Sequence, residues 1–170
     1  RGGSTVNICS LDITKAFDKV SHSKLLLKLK ANGIGDDLIS LITDFLSNRY
    51  QRVVLPGGQS SLKLVTSGVP HCSGLGPLLF LLYINDIVDL FCDSVSVKLF
   101  VDNIKMYTEV SDLNSCVAFQ SIFDLVCEWA NTWQMELSVS KCHFMRVGFC
   151  NMPSVSYTSD KFALELLTQS

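Results

Sequence analysis

Residues 95–107, VSVKLFVDNIKMY, constrain this chain more than any other stretch. Two runs of near alternation between apolar and polar residues flank Asp102-Asn103, the pattern of a β-hairpin with an acid at its tip. Asn suits a tight turn because its side chain tolerates positive φ. An Asp held at the end of two paired strands can also present its carboxylate to a metal ion. An ordinary Asp-Asn turn is the plainer alternative. A second acid in a similar setting bears on that choice: residues 5–11, TVNICSL, alternate with β-branched members and end at Asp12. They predict a strand that delivers an acid at its C-terminal end.

If those two strands are neighbours, Asp12 and Asp102 converge on one sheet edge. Magnesium is usually held by one or two carboxylates, with substrate phosphates and water completing the octahedron. Two such ions ~3.5–4 Å apart clamp the attacking and leaving oxygens of a phosphoryl transfer. Few acids therefore suffice.

A 170-residue chain with 48% hydrophobic residues predicts one domain with a sizeable core. Its formal charge of −2 does not advertise a nucleic-acid partner. The charge is uneven, however: Lys15, Lys19, Lys24, Lys28 and Lys30 stand against Asp18 alone, whereas residues 36–170 carry 8 basic and 14 acidic side chains. That basic corner reads as a solvated helix face or as a phosphate contact. The seven cysteines (9, 72, 92, 116, 127, 142 and 150) contain no C-x-x-C pair, which favours a reducing compartment over a disulfide framework. Cys142, His143 and Cys150 do not have the spacing of a zinc site. Residues 78–84 form the longest apolar run, far short of the ~20 a membrane helix needs. With no signal pattern at the start, the expectation is a soluble intracellular domain.

Along the chain, Ser21 or Ser23 is expected to cap a helix that stops at Asn32-Gly33, and Asp36 to cap the next. In that second helix Leu38, Ile39, Leu41, Ile42, Phe45 and Leu46 share a core-facing side. Residues 51–55 and 62–66 flank Pro56-Gly57-Gly58-Gln59 as a hairpin. A Gly/Pro-rich loop over 67–77 then opens onto a buried helix at 78–84. Asp112 caps a long helix whose apolar positions are Val117, Phe119, Phe123, Val126, Trp129 and Trp133. Residues 135–139 and 143–147 read as short strands around Lys141, and the last 20 residues show no usable pattern.

The segment DITKAFDKVSH (12–22) resembles the first palm motif of non-LTR, LINE-type retrotransposon reverse transcriptases. SGVPHCSGLGPLLFLLYIND (67–86) resembles the second, residues 99–107 the third, and residues 129–142 the fourth. The order and spacing agree over about residues 5–150, so the resemblance implies a palm over 1–150 and leaves 151–170 unassigned. The implied fold is α+β, a right-hand polymerase palm with an antiparallel sheet packed on helices. The implied activity is RNA-directed DNA synthesis from dNTPs on an RNA template and a DNA primer, with two Mg²⁺ (or Mn²⁺) ions.

Position by position, the resemblance makes Asp12 and Asp102 metal-binding acids. It sets Phe17 under the sugar, where a bulky ring excludes a 2′-hydroxyl, and the Lys15-Ala16 backbone against the triphosphate. Pro70 and His71 fall at nucleotide-contacting positions. Gly68, Cys72, Ser73 and Gly74 shape the floor under template and primer. Lys141 lies near the pyrophosphate as a charge or proton donor. Outside the motif frame, Phe17 would be a core residue and Lys141 an exposed turn lysine.

The departures are informative. Asn103 stands where the family has a second Asp, keeping an oxygen but losing a charge from the metal site. At ~4 Å that charge is worth roughly 1–4 kcal/mol per unit of cation charge for effective dielectrics of 80 to 20. His71 and Cys72 replace Gln and Gly of a Pro-Gln-Gly-Ser sequence, Gly74 replaces Val, Val101 replaces Ala, and Ser138 or Ser140 stands where Asn is usual. Together with the expected lack of fingers and thumb, these changes predict a degenerate, truncated copy with impaired activity. The alternative is an inactive palm kept as a nucleic-acid- or protein-binding module.

Overall fold

The structure, a computed structural model, describes residues 5–148, 156–159 and 163–164. Cys150 and most of 151–170 lie outside the described residues. The chain divides into two compact units, one from residues 1–14 and 86–170 and the other from Lys15–Asn85.

The first unit is organised on a four-stranded antiparallel sheet. Strand β1 is Thr5–Asp12, and its alternation is borne out residue by residue: Thr5, Asn7, Cys9 and Leu11 are buried, whereas the residues between them are half-exposed. After the second unit come β6 (Ser96–Phe100) and β7 (Asn103–Val110), the expected hairpin, with its two-residue loop at Val101-Asp102, one residue ahead of the expected Asp102-Asn103 turn. Beyond a helix lies β8 (His143–Val147), and the sheet order is β6-β7-β1-β8. Register sorts the two faces. Leu11 opposes Ile104, Cys9 opposes Met106 and Asn7 opposes Thr108, all buried. The other face carries Asp12 opposite Asn103 and Ser10 opposite Lys105.

The core face is covered by α5 (Leu113–Thr132). Asp112 caps it as expected, accepting from Ser115 N–H at 2.8 Å. Phe119, Phe123, Val126 and Trp129 are buried, whereas Val117 points to solvent, so the apolar stripe is narrower than the sequence suggested. Phe119, Phe144 and Tyr157 pack as an aromatic cluster, with centroid distances of 4.6–6.5 Å. Asn7 is buried among them and satisfied: its amide donates to the Tyr157 hydroxyl at 2.6 Å and its carbonyl accepts from Arg146 Nε at 2.9 Å. Residues 135–139 do not form a strand. They contribute one isolated bridge, Ile13 to Leu137, followed by a 3₁₀ turn at Val139–Lys141. Alternation over five residues was too little to outweigh that local turn.

The second unit holds α1 (Ala16–Lys19), α2 (His22–Ala31), α3 (Asp36–Leu46) and α4 (Leu75–Ile84). Gly35 occupies the α3 cap, one residue ahead of Asp36. Ile39, Ile42 and Leu46 are buried, but Leu38 and Leu41 are exposed, which narrows the expected core face. The loop leads into α4 three residues earlier than expected, and Leu78 and Leu81 face solvent. Lys28 leaves the basic corner altogether. It is buried, donates to the Tyr83 carbonyl in the last turn of α4 and stands 5.0 Å from the Tyr83 ring centroid. A cation is favoured there by the helix C-terminus and the ring face.

Between α3 and α4 a ribbon of two short ladders runs from β2 (Tyr50–Gln51) through β3 (Val54–Leu55) and β4 (Gly58–Gln59) to β5 (Lys63–Leu64). Its turn is tighter than expected, Pro56-Gly57 alone, with Gly57 at φ +93°. Among the described residues, no helix is long and apolar enough to cross a membrane.

Candidate active site

Adjacency of β1 and β7 brings the two acids to one end of the first unit's sheet. Asp12 is the last residue of β1 and lies opposite Asn103, and the next amide, Ile13 N–H, donates to the Asp102 carbonyl at 3.0 Å. Val101 and Asp102 form the two-residue hairpin loop. Val101 has φ +55°, a conformation that a β-branched residue adopts only under strain. The ladders on both sides of the loop hold it there.

Asp12 projects from the face opposite the core, and its side chain is only 13% exposed. Lys141 Nζ stands 3.3 Å from Asp12 Oδ1, on a side chain that is 67% exposed. That contact lacks hydrogen-bond geometry, and Oδ1 is buried without a hydrogen-bond partner. A desolvated carboxylate oxygen answered only by charge is a ready ligand for a second, harder cation. Asn103 Nδ2 donates to Asp102 Oδ1 at 3.3 Å. Two carboxylates and an amide oxygen fit the donor set of a magnesium ion completed by phosphate and water. No group of three or more His, Cys, Asp or Glu suited to a metal occurs among the described residues. Cys142 is buried, its thiol pushed up chiefly by burial, and His143 beside it is exposed.

The second unit gathers the other candidates. Lys15 adopts the left-handed conformation (φ 47°, ψ 48°) at the head of α1. Ala16 is buried and Phe17 half-buried, with the Phe17 ring stacked on Phe80 at 4.4 Å. Gly68 packs on α1. Its N–H donates to the Val20 carbonyl at 2.8 Å, Val69 N–H donates to the Phe17 carbonyl at 2.9 Å, and His22 Nε2 contacts the Gly68 carbonyl at 2.8 Å. At φ +88°, a Cβ on Gly68 would meet the Asp18 backbone at 2.8 Å, so glycine is required twice over. Ser73 ties the loop to the helix: its hydroxyl donates to the Pro70 carbonyl at 2.9 Å and accepts from Gly76 N–H at 2.9 Å. Gly74 is in the right-handed helical region, and a Cβ there would meet nothing within 4 Å, so its backbone does not require glycine.

His71 Nε2 lies 2.8 Å from Asp18 Oδ1, with both side chains 61% exposed, and the His71 ring is 5.3 Å from that of Phe17. Sequence reasoning did not assign Asp18, Phe80 or Gly76. Asp18 lies within the first motif, but its pairing with His71 depends on contact across 53 positions. Gly76 has a clear structural reason, since a Cβ there would reach 2.1 Å from the Pro70 carbonyl oxygen.

Residues 2–162 match the reverse transcriptase (RNA-dependent DNA polymerase) family. The RNA-directed DNA polymerase from mobile element jockey of Drosophila funebris is 33% identical over 141 residues, covering 79% of this chain and 15% of that protein. The Pol polyprotein from type-1 retrotransposable element R2 of Popillia japonica is 35% identical over 86 residues, 51% of this chain and 14% of its own length. This chain thus spans about 15% of the first of these relatives. Among solved structures, telomerase from Candida tropicalis in complex with a fragment of telomeric RNA matches with a TM-score of 0.64 at 11% identity, over 84% of this chain and 26% of that one. At that identity the likeness speaks for the fold, an α+β polymerase palm. With four motifs in order, acids from β1 and the β6–β7 hairpin at one sheet end, and the family matched over nearly its whole length, the chain belongs to the reverse transcriptases, among those of non-LTR mobile elements.

Proposed function

We propose that this chain is the catalytic palm of an RNA-directed DNA polymerase and is impaired in this copy. Its reaction joins a primer 3′-oxygen to the α-phosphorus of a dNTP, breaking the bond to pyrophosphate. The observation that carries the reading is Asp12 Oδ1, a buried carboxylate oxygen without a hydrogen bond, at a strand end paired with Asn103, the residue after the hairpin-loop Asp102. Reverse transcriptases use divalent metal ions. Here Asp12 and Asp102 would hold Mg²⁺ or Mn²⁺, with Asn103 as a weakened third ligand. When bound, two ions supply charge stabilisation to the attacking and leaving oxygens.

The remaining work falls to side chains and backbone. The Lys141 ammonium orients Asp12 and can give a proton to the departing pyrophosphate. On the second unit, the stacking of Phe17 on Phe80 supports a fixed ring for excluding a 2′-hydroxyl. Lys15, Ala16, Pro70 and His71 are assigned to the nucleotide, and Gly68, Cys72, Ser73 and Gly74 to the template and primer floor, by their motif positions. RNA template, DNA primer and dNTPs are the partners, in an intracellular setting (nucleus or cytoplasm).

Impairment follows from Asn103, His71 and Cys72. The same three residues favour the second reading, an inactive palm retained for nucleic-acid or protein binding. Primer extension on an RNA template with Mg²⁺ and dNTPs tests both, comparing the parent chain with Asn103→Asp/His71→Gln/Cys72→Gly and with Asp12→Ala. The triple variant should extend more than the parent, with Asp12→Ala at background. Equal extension by parent and triple variant overturns impairment, and extension by Asp12→Ala overturns the site. Absence of extension from every variant leaves the binding module.

A further inference from the structure

Residues 50–64 are all exposed, including Tyr50, Val53, Val54, Leu55, Leu62 and Leu64. Each of these six is 52–68% exposed, and apolar side chains grouped in the open mark interaction surfaces. The ribbon has no core of its own. It is held by two two-residue ladders together with the Ser60 N–H to Val53 carbonyl and Val65 N–H to Arg49 carbonyl hydrogen bonds, at 2.9 and 2.8 Å. Two-stranded ribbons of this kind are marginal in water unless something docks on them.

The charge pattern says what. Arg49, Arg52 and Lys63 fall in residues 49–64, and no Asp or Glu does. Register makes the ribbon two-sided at its base. Lys63 pairs with Gln51 and Arg49 faces Val65, so Arg49, Gln51, Lys63 and Val65 share one side, with Tyr50 and Leu64 on the other. The far end is Leu55-Pro56-Gly57-Gly58, a narrow apolar tip.

We infer that residues 49–64 form a nucleic-acid-binding arm for the RNA–DNA hybrid duplex. The inference rests on the polymerase reading for the identity of the duplex. An A-form-like hybrid offers a wide, shallow minor groove, bordered by phosphates within reach of cations on one side of such a ribbon. Val54, Leu55 and Pro56 at the tip then lie against sugars and base edges, as apolar wedges do in grooves. The assignment explains exposed apolar residues and unbalanced positive charge together.

The test is fluorescence anisotropy of a labelled RNA–DNA hybrid with the whole 170-residue chain, over about 50–300 mM KCl. Arg49→Ala/Arg52→Ala/Lys63→Ala should weaken binding roughly tenfold or more at low salt and reduce the slope of log K against log salt by about 2–3, at ~0.7–0.9 for each phosphate no longer neutralised. Leu55→Ser/Pro56→Ser should weaken binding with the slope unchanged. A parent chain that does not bind the hybrid, or a triple variant with unchanged affinity and slope, overturns the arm. Loss of binding on Lys24→Ala/Lys30→Ala instead transfers the interaction to α2 and also overturns it. So does a dimer seen by sedimentation that the tip variant dissolves while hybrid binding persists, because the occupant is then a second copy. The polymerase reading is tested separately. Ribbon-dependent binding without extension even by Asn103→Asp/His71→Gln/Cys72→Gly removes that reading and keeps the arm, and extension by that variant with ribbon-independent binding does the reverse.

Discussion

Gly68 and Gly74 lie in one loop and make opposite demands. Gly68 combines φ +88° with an approach of 2.8 Å to the Asp18 backbone for any added Cβ, so Gly68→Ala should destabilise the fold by about 2 kcal/mol or more. Gly74 has helical dihedrals and open space, so Gly74→Ala should stay within about 0.5 kcal/mol of the parent. Urea melts of the two variants read the contrast directly. At the hairpin tip, Asn103→Asp should act in two directions. Without metal, a second carboxylate beside Asp102 removes the 3.3 Å amide hydrogen bond and adds repulsion, lowering stability. With Mn²⁺, affinity should rise by about tenfold or more, since 1.4 kcal/mol is one decade. Calorimetric Mn²⁺ titration checks this, with Asp12→Ala as the variant that abolishes the gain.

At the scale of elements, α5 carries the clearest local device. The Asp112 carboxylate accepts from both the Ser115 N–H and hydroxyl, which holds its pKa below the usual Asp value. A depressed folded-state pKa means stability present above the unfolded value of about 3.9 and lost as pH falls through the folded one. Asp112→Ala should therefore lower Tm at pH 7, and its difference from the parent should shrink below about pH 4, as thermal melts across pH would show. The cap was legible because Asp followed by an apolar period is a local signal. The extent of the buried stripes was not. Val117, Leu38 and Leu41 carry the right period but face water, since burial depends on where the neighbouring element ends.

On the scale of the whole molecule, each unit has its own core, and stability should be distributed accordingly. β1 is paired on both sides, to β7 and β8, as β7 is to β6 and β1, and one face of β1 is buried. Its amides should be among the slowest to exchange in the first unit, whereas residues 50–64 should exchange near the fastest local rate. Hydrogen-exchange mass spectrometry measures both, and fast exchange along β1 would contradict the sheet order. Charge also has to be counted on the fold. Lys28 belongs to the basic corner in sequence, yet it is buried beneath Tyr83, so the cationic surface lies partly elsewhere, on the ribbon.

The sequence by itself determined the strand that ends in Asp12, the hairpin with Asp102 at its tip, the capped α5, the four motifs and their order, because two-residue and 3.6-residue periods, caps and turns are local properties of the chain. Only the tertiary structure decided that Asp12 faces Asn103 in register, that Asp18 holds His71, that Lys28 is buried and that residues 135–139 turn rather than extend. Those outcomes depend on contacts between distant residues or on competition between local conformations. Packing resolves them only when the strands and helices have found their neighbours.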